Sequence, residues 1–313
     1  MPDTFLRPYV RASDAELRRL ARGEPLTHTV QSPDSREITT VGAIRVACTI
    51  DRFAARVRDV ERFKAGDYLL EIGRFAATPG PGDVAGLTLT PGDRRDLRNC
   101  RPGSCALRLP ADAMARFRTN VPWGRPEEDG VATSEMRAFV VGEASRYLSG
   151  GLAALGDYAD QGTTISRAAA FRALLRPSSF AGEYQPEVFD LLDRFPEHRD
   201  PDAEHILYWS RERFGLKPIT ALTHSMLVRR GDVAVFASKQ VYSSHYFDAS
   251  LGLSVFVPAA GGSYGYIVYM NRTRIEGLRG PLAGLVRTIA TRRGRDGLEK
   301  TLLNVRTKLE AND

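Results

Sequence analysis

The chain is poor in cysteine, in lysine and in uninterrupted apolar sequence. Its three cysteines are too few, and odd in number, which excludes a scaffold built on disulfides. A chain of 313 residues needs no such support to bury a core. No window approaches eighteen consecutive apolar residues, so no helix is expected to span a bilayer. P-loop and His-Glu-x-x-His patterns are absent, which removes the sequence signatures of a phosphate cradle and a zinc peptidase. Neither a metal nor a cofactor is expected.

The net charge of +6 would ordinarily direct attention to nucleic acid or an anionic surface. Of the 44 basic residues, however, only Lys64, Lys217, Lys239, Lys300 and Lys308 are lysines, leaving 39 arginines. A genome rich in G and C produces that skew whatever the function. The arginines are interleaved with acids, as in Arg58-Asp59-Val60-Glu61-Arg62, and only Arg287 to Arg295 is dense. That run reads first as a solvated helix face. The interleaving argues against nucleic acid as the main partner, and a basic module that docks on anionic lipid or nucleic acid through Arg287, Arg292, Arg293 and Arg295 is the alternative for the run. Met1-Pro2-Asp3-Thr4-Phe5 has neither a basic start nor an apolar stretch, so the chain reads as cytoplasmic, or as exported if a leader is missing.

Residues 1–40 read as an N-terminal arm with a capped helix start at Ser13-Asp14-Ala15-Glu16-Leu17. Residues 41–313 read as one domain. Val41 to Ile50 alternates as a half-buried strand, Phe53, Val57, Val60 and Phe63 recur at helical spacing, and Tyr68 to Phe75 is a second strand. A helical block follows at about 111–203, where Met136, Phe139, Val140, Ala144, Tyr147 and Leu148 mark one helix. Five strand patterns then run from Leu207 to Arg274, rich in Val, Ile, Tyr, Phe and Thr and joined by short turns, which implies antiparallel neighbours. The chain closes with a long helix from about Gly280 to Glu310. One stripe on it is Leu282, Leu285, Val286 and Ile289; another is Leu298, Leu302, Val305 and Leu309, with Gly294 and Gly297 between them predicting a bend or a change of buried face.

This order of elements resembles the START-like, or Bet v 1-like, helix-grip superfamily over about residues 41–76 and 204–310, with the helical block as an insertion. The resemblance implies an α+β fold in which a curved antiparallel sheet grips the C-terminal helix around an apolar cavity. It further implies binding or carriage of a bulky apolar ligand such as a lipid, a sterol or a polyketide.

Candidate ligand contacts come from strand alternation. Leu222, His224, Met226 and Val228 share one face, and Val241, Ser243, His245, Phe247, Ala249 and Leu251 share another. His224 and His245 interrupt apolar faces, and a buried polar group needs a partner. They are read as polar anchors, or else as core histidines bonded to neighbouring hydroxyls. Ser243, Met226 and Phe247 stand beside them, and Leu285 and Ile289 face them from the helix. An enzyme of the same fold, hydrolase or cyclase, using His245 as base is the alternative. Cys48 reads as a small buried hydrophobe. Cys100 and Cys105 flank a Pro-Gly turn and are a candidate disulfide pair.

Overall fold

In the computed structural model, residue 7 and residues 12–32, 34–175, 186–214, 217–278 and 283–311 are described. Met1 to Phe5, Gly280, Leu282 and the side chain of Arg293 lie outside the described residues. Helix α1 (Asp14–Ala21) opens on a reciprocal cap, in which Ser13 Oγ accepts from Glu16 N and the Glu16 carboxylate accepts from Ser13 N. Strands β1 (Leu26–Val30) and β2 (Glu37–Val46) follow and pair antiparallel. The second half of the expected arm therefore belongs to the sheet, because Leu-Thr-His-Thr-Val is too short for a clear period but has the β-branched content of an edge strand.

Two short helices, α2 (Ile50–Arg58) and α3 (Val60–Lys64), lead to β3 (Leu69–Arg74). The block between β3 and β4 contains α4 (Pro91–Asn99), α5 (Ala111–Asn120), α6 (Glu128–Gly150), α7 (Arg167–Leu175) and α8 (Pro186–Asp193). Strands β4 (Glu204–Phe214), β5 (Lys217–Arg230), β6 (Val233–Ser243), β7 (Phe247–Pro258) and β8 (Gly265–Ile275) form a meander, and helix α9 (Ala283–Glu310) ends the chain. The eight strands make one antiparallel sheet in the order β1-β2-β8-β7-β6-β5-β4-β3.

Both faces of this sheet are covered. The helical block packs on one face through Val41, Ala43, Trp209, Leu222, Met226, Leu251 and Val255, all buried with Met136, Phe139 and Phe171. That layer also holds buried ion pairs: Arg272 donates to Glu37 at 2.6 Å and to the Leu174 carbonyl at 2.7 Å, and Arg108 donates to Asp248 at 2.6 Å. These bonds tie α7 and the loop before α5 to the strands beneath them.

Helix α9 crosses the other face. Gly42 of β2 makes this approach possible, since a Cβ there would stand 2.8 Å from Leu302 and 3.1 Å from Leu298. The line facing the sheet is Val286, Ala290, Gly294, Leu298, Leu302, Val305 and Leu309, spaced by three and four. Leu285 and Ile289, expected in that line, are 60% and 45% exposed. Each sits one residue, about 100°, around the helix from the residues in contact. The expectation weighted large side chains, whereas in the first half of the helix the line toward the sheet carries small ones, Ala290 and Gly294. The helix stays continuous through Gly294 and Gly297, and what changes there is how deeply it is buried.

Candidate functional site

Between the sheet and α9 lies a cavity of about 330 Å³. Its walls come from β2, β4 to β8, the short helices α2 and α3, and α9. One end is apolar: Ile38, Ile219, Phe247 and Ile275 meet Ala290, with Val286 packed behind. The long floor carries small polar side chains, Thr223, Ser238, Gln240, Ser250, Ser254, Asn271 and Thr273. Several satisfy one another: Ser250 meets Thr273 across strands at 3.1 Å and Thr273 Oγ1 donates to Asn271 Oδ1 along β8 at 2.6 Å, while Ser238 meets Ser225 of β5 at 2.7 Å.

The far end is charged. Lys64 Nζ stands 3.1 Å from Glu212 Oε1, with the rings of Tyr208 and Tyr68 at 5.7 and 5.8 Å from the ammonium. Tyr269 lines the same end. Ser210 Oγ donates to the Glu212 carboxylate at 2.7 Å. Burial opposes both charges, yet the pair outweighs it: Glu212 holds the Lys64 pKa well above the ordinary lysine value, and Lys64 holds Glu212 below the ordinary carboxylate value. The pair is therefore ionised at neutral pH. Burial also raises the Tyr68 and Tyr269 phenols, which stay protonated.

The position of Lys64 follows from the grip itself. Helix α3 is only five residues long, so its last carbonyls have few partners within the helix itself. Lys308 of α9 donates to the carbonyls of Arg62, Phe63 and Ala65, fixing α3 against the helix that closes the cavity.

The sheet and its crossing helix make a helix-grip fold. That assignment rests on strand order and on the seat of α9, with the helical block inserted between β3 and β4. Among solved structures, the chain aligns with human STARD10 over 95% of its own length and 80% of that chain, at 8% identity and a TM-score of 0.34. It aligns with TTHA0849 from Thermus thermophilus over 36% of its length and 69% of that chain, at 15% identity and a TM-score of 0.28. No family model matches the sequence. No curated protein matches it either.

Of the residues chosen from sequence, Phe247 lines the cavity. His224, Met226 and Ser243 do not; they point to the helical block from the opposite face of the sheet. His224 Nδ1 meets Tyr147 OH at 2.7 Å, its Nε2 meets His205 Nδ1 at 2.9 Å, and Phe195 packs on its ring at 4.3 Å between centroids. Burial, then the nearby Lys239 ammonium, pushes the His224 pKa well below the ordinary histidine value. Ser243 Oγ donates to the His245 carbonyl, and Tyr158 OH accepts from Ser243 N. His245 turns toward α4, with Nε2 3.9 Å from Asp93 Oδ1. The alternation assumed from Val241 to Leu251 fails because the chain bends after Ser243: Tyr246 adopts φ +65°, and the register shifts again between Phe247 and Ala249. Leu285 and Ile289 lie outside the lining as well.

Sequence reasoning missed Tyr68 and the Lys64–Glu212 pair, although Tyr208 and Tyr269, aromatics with polar ends that the sequence offers as cavity lining, do line it. One signal pointed to the pair: lysine is scarce in this chain. Cys48 is buried and its thiol is pushed up to about 11 by burial, which keeps it protonated. Cys100 and Cys105 form a disulfide across 4.3 Å between Cα atoms. Among the described residues, no three His, Cys, Asp or Glu side chains gather to hold a metal, and no helix is long and apolar enough to cross a membrane.

Proposed function

We propose that this protein binds or carries an apolar ligand in the cavity between the sheet and α9. The observation behind the reading is the lining. A face that packs solid has no use for seven small polar side chains beneath a helix, whereas a cavity with one apolar end and one polar end matches an amphipathic guest. The alternative of a hydrolase or cyclase using a cavity histidine has no geometric support, because neither His224 nor His245 lines the cavity. Native mass spectrometry of protein purified from its source, followed by solvent extraction, tests the proposal. A ligand-bound mass that collapses to the chain mass on extraction is expected; repeated recovery of bare chain, together with failure to take up any apolar probe, removes it.

A second reading concerns how such a guest would enter. Leu285, Ile289 and Phe214 are exposed apolar side chains near the apolar end, and Arg292 and Arg295 are exposed on the same helix. That combination favours peripheral contact with an anionic membrane. Co-sedimentation with phosphatidylserine vesicles that weakens as salt rises is the expected result; no retention at low salt rejects it.

A further inference from the structure

The charged end of the cavity has a hydrogen-bonding capacity that the protein does not use up. An ammonium carries three N–H donors. Among the described residues, the Glu212 carboxylate is the acceptor that Lys64 meets, and the Tyr208 and Tyr68 rings flank it with their π faces. Both charged side chains retain access to space, 23% for Lys64 and 20% for Glu212, and both line the cavity. An occupant reaching this end therefore meets a donor and an acceptor side by side.

The pair already neutralises itself, and this decides which head groups fit. A ligand carboxylate would place two carboxylates around one ammonium and leave a buried net negative charge, and neighbouring carboxylates resist joint ionisation. A ligand ammonium would compete with Lys64 for Glu212 and suffer the reverse penalty. An uncharged hydroxyl can accept from Lys64 Nζ and donate to Glu212 at once, leaving the net charge unchanged.

Size and shape set the rest of the ligand. Ala290 at the apolar end and Asn304 at the charged end are fourteen residues apart on α9, about 21 Å at 1.5 Å per residue. An apolar cavity of about 150 Å³ holds benzene, so about 330 Å³ holds roughly a dozen heavy atoms. A volume that small over that length is narrow, which fits one chain better than a fused ring system or the two tails of a diacyl phospholipid.

We propose that Lys64 and Glu212 form the head-group site for an uncharged, single-chain hydroxyl amphiphile, with the chain running along α9 toward Phe247. The assignment rests on the carrier reading above and narrows its ligand class.

The test is a binding panel of equal chain length at pH 7: 1-dodecanol, dodecanoate, dodecylammonium and n-dodecane, with dioleoylphosphatidylcholine as the size control. 1-Dodecanol should bind about tenfold more tightly than each of the other three C12 probes, the scale of one or two net hydrogen bonds or of one buried unpaired charge. The phospholipid should not displace it. Lys64→Met, which keeps length and removes the donors, should bring 1-dodecanol to within about threefold of n-dodecane. Glu212→Gln leaves the ammonium without its counter-charge and should reverse the selection in favour of dodecanoate; it serves as the independent variant should Lys64→Met fold poorly, folding being checked by circular dichroism. Dodecanoate binding as tightly as 1-dodecanol to the parent protein overturns the assignment, as does an unchanged order in Glu212→Gln. Equal binding of n-dodecane and 1-dodecanol rejects the head-group site while leaving the carrier reading standing. Failure of every probe to bind removes both.

Discussion

Lys239 offers the sharpest test of how the helical block sits on the sheet. Its side chain is fully buried on the block face, where Nζ donates to the Leu192 carbonyl and lies 4.9 Å from the Tyr147 ring and 5.1 Å from the Phe171 ring. Burial, only partly offset by Asp193, lowers its pKa from 10.5 to about 7. The unfolded chain therefore takes up this proton near pH 10.5, while the folded chain delays until about pH 7. Between those limits the unfolded state binds more protons, so stability falls as pH is lowered from 10.5 toward 7 and this contribution is flat below. A difference of about 3.5 units corresponds to roughly 5 kcal/mol over the whole window, or about 1.4 kcal/mol per pH unit at full slope.

Lys239→Met keeps the volume and removes the proton. Urea unfolding of parent and variant at pH 7.5 and pH 9.5 gives the comparison. The parent should gain about 2–3 kcal/mol relative to the variant on going to the higher pH. At pH 7.5 the variant should be the more stable of the two, even after the Leu192 carbonyl loses its partner at a cost of about 1–3 kcal/mol. Parallel pH dependence in the two proteins would refute the burial of this amine and, with it, the docking of α7 and α8 on β6.

Further expectations concern the other face and the acid limb. Leu302→Ala should cost about 2–5 kcal/mol because Leu302 is buried against Gly42, whereas Leu285→Ala and Ile289→Ala should each stay within about 0.5 kcal/mol; thermal unfolding of the three variants decides, and equal losses would contradict the seat of α9. His224 and His205 both have lowered pKa values, chiefly through burial, so the stability present above the ordinary histidine pKa should decline as pH falls below about 6.5. His224→Gln should flatten that decline between pH 6.5 and 5 in urea midpoints, and an unaltered decline would assign it to other groups.

Local sequence was enough to set the order of elements and most of their periods. The strand β2, the amphipathic helices α2 and α3, the helical block, the five-strand meander and the final helix are each written in local alternation or helical spacing, which depends only on near neighbours. The general position of the cavity, between sheet and last helix, was legible in the same order. Sequence could not say which face of each strand would meet that helix. Alternation divides residues into two sets, and in a sheet covered on both sides either set can be buried. The more apolar set, with Leu222, Met226 and Leu251, reads as the cavity wall; the structure packs it solid under the block. The set rich in Ser, Thr, Asn and Gln, which reads as a solvent face, forms the cavity floor. That choice depends on where an inserted block of helices lands and on a bend at Tyr246 that interrupts the count, and both are settled by contacts distant in the chain. The Lys64–Glu212 pair joins residues 148 positions apart, and it exists because Lys308 fastens α3 to α9 while β4 brings Glu212 to the same end. No local pattern encodes a meeting of that kind.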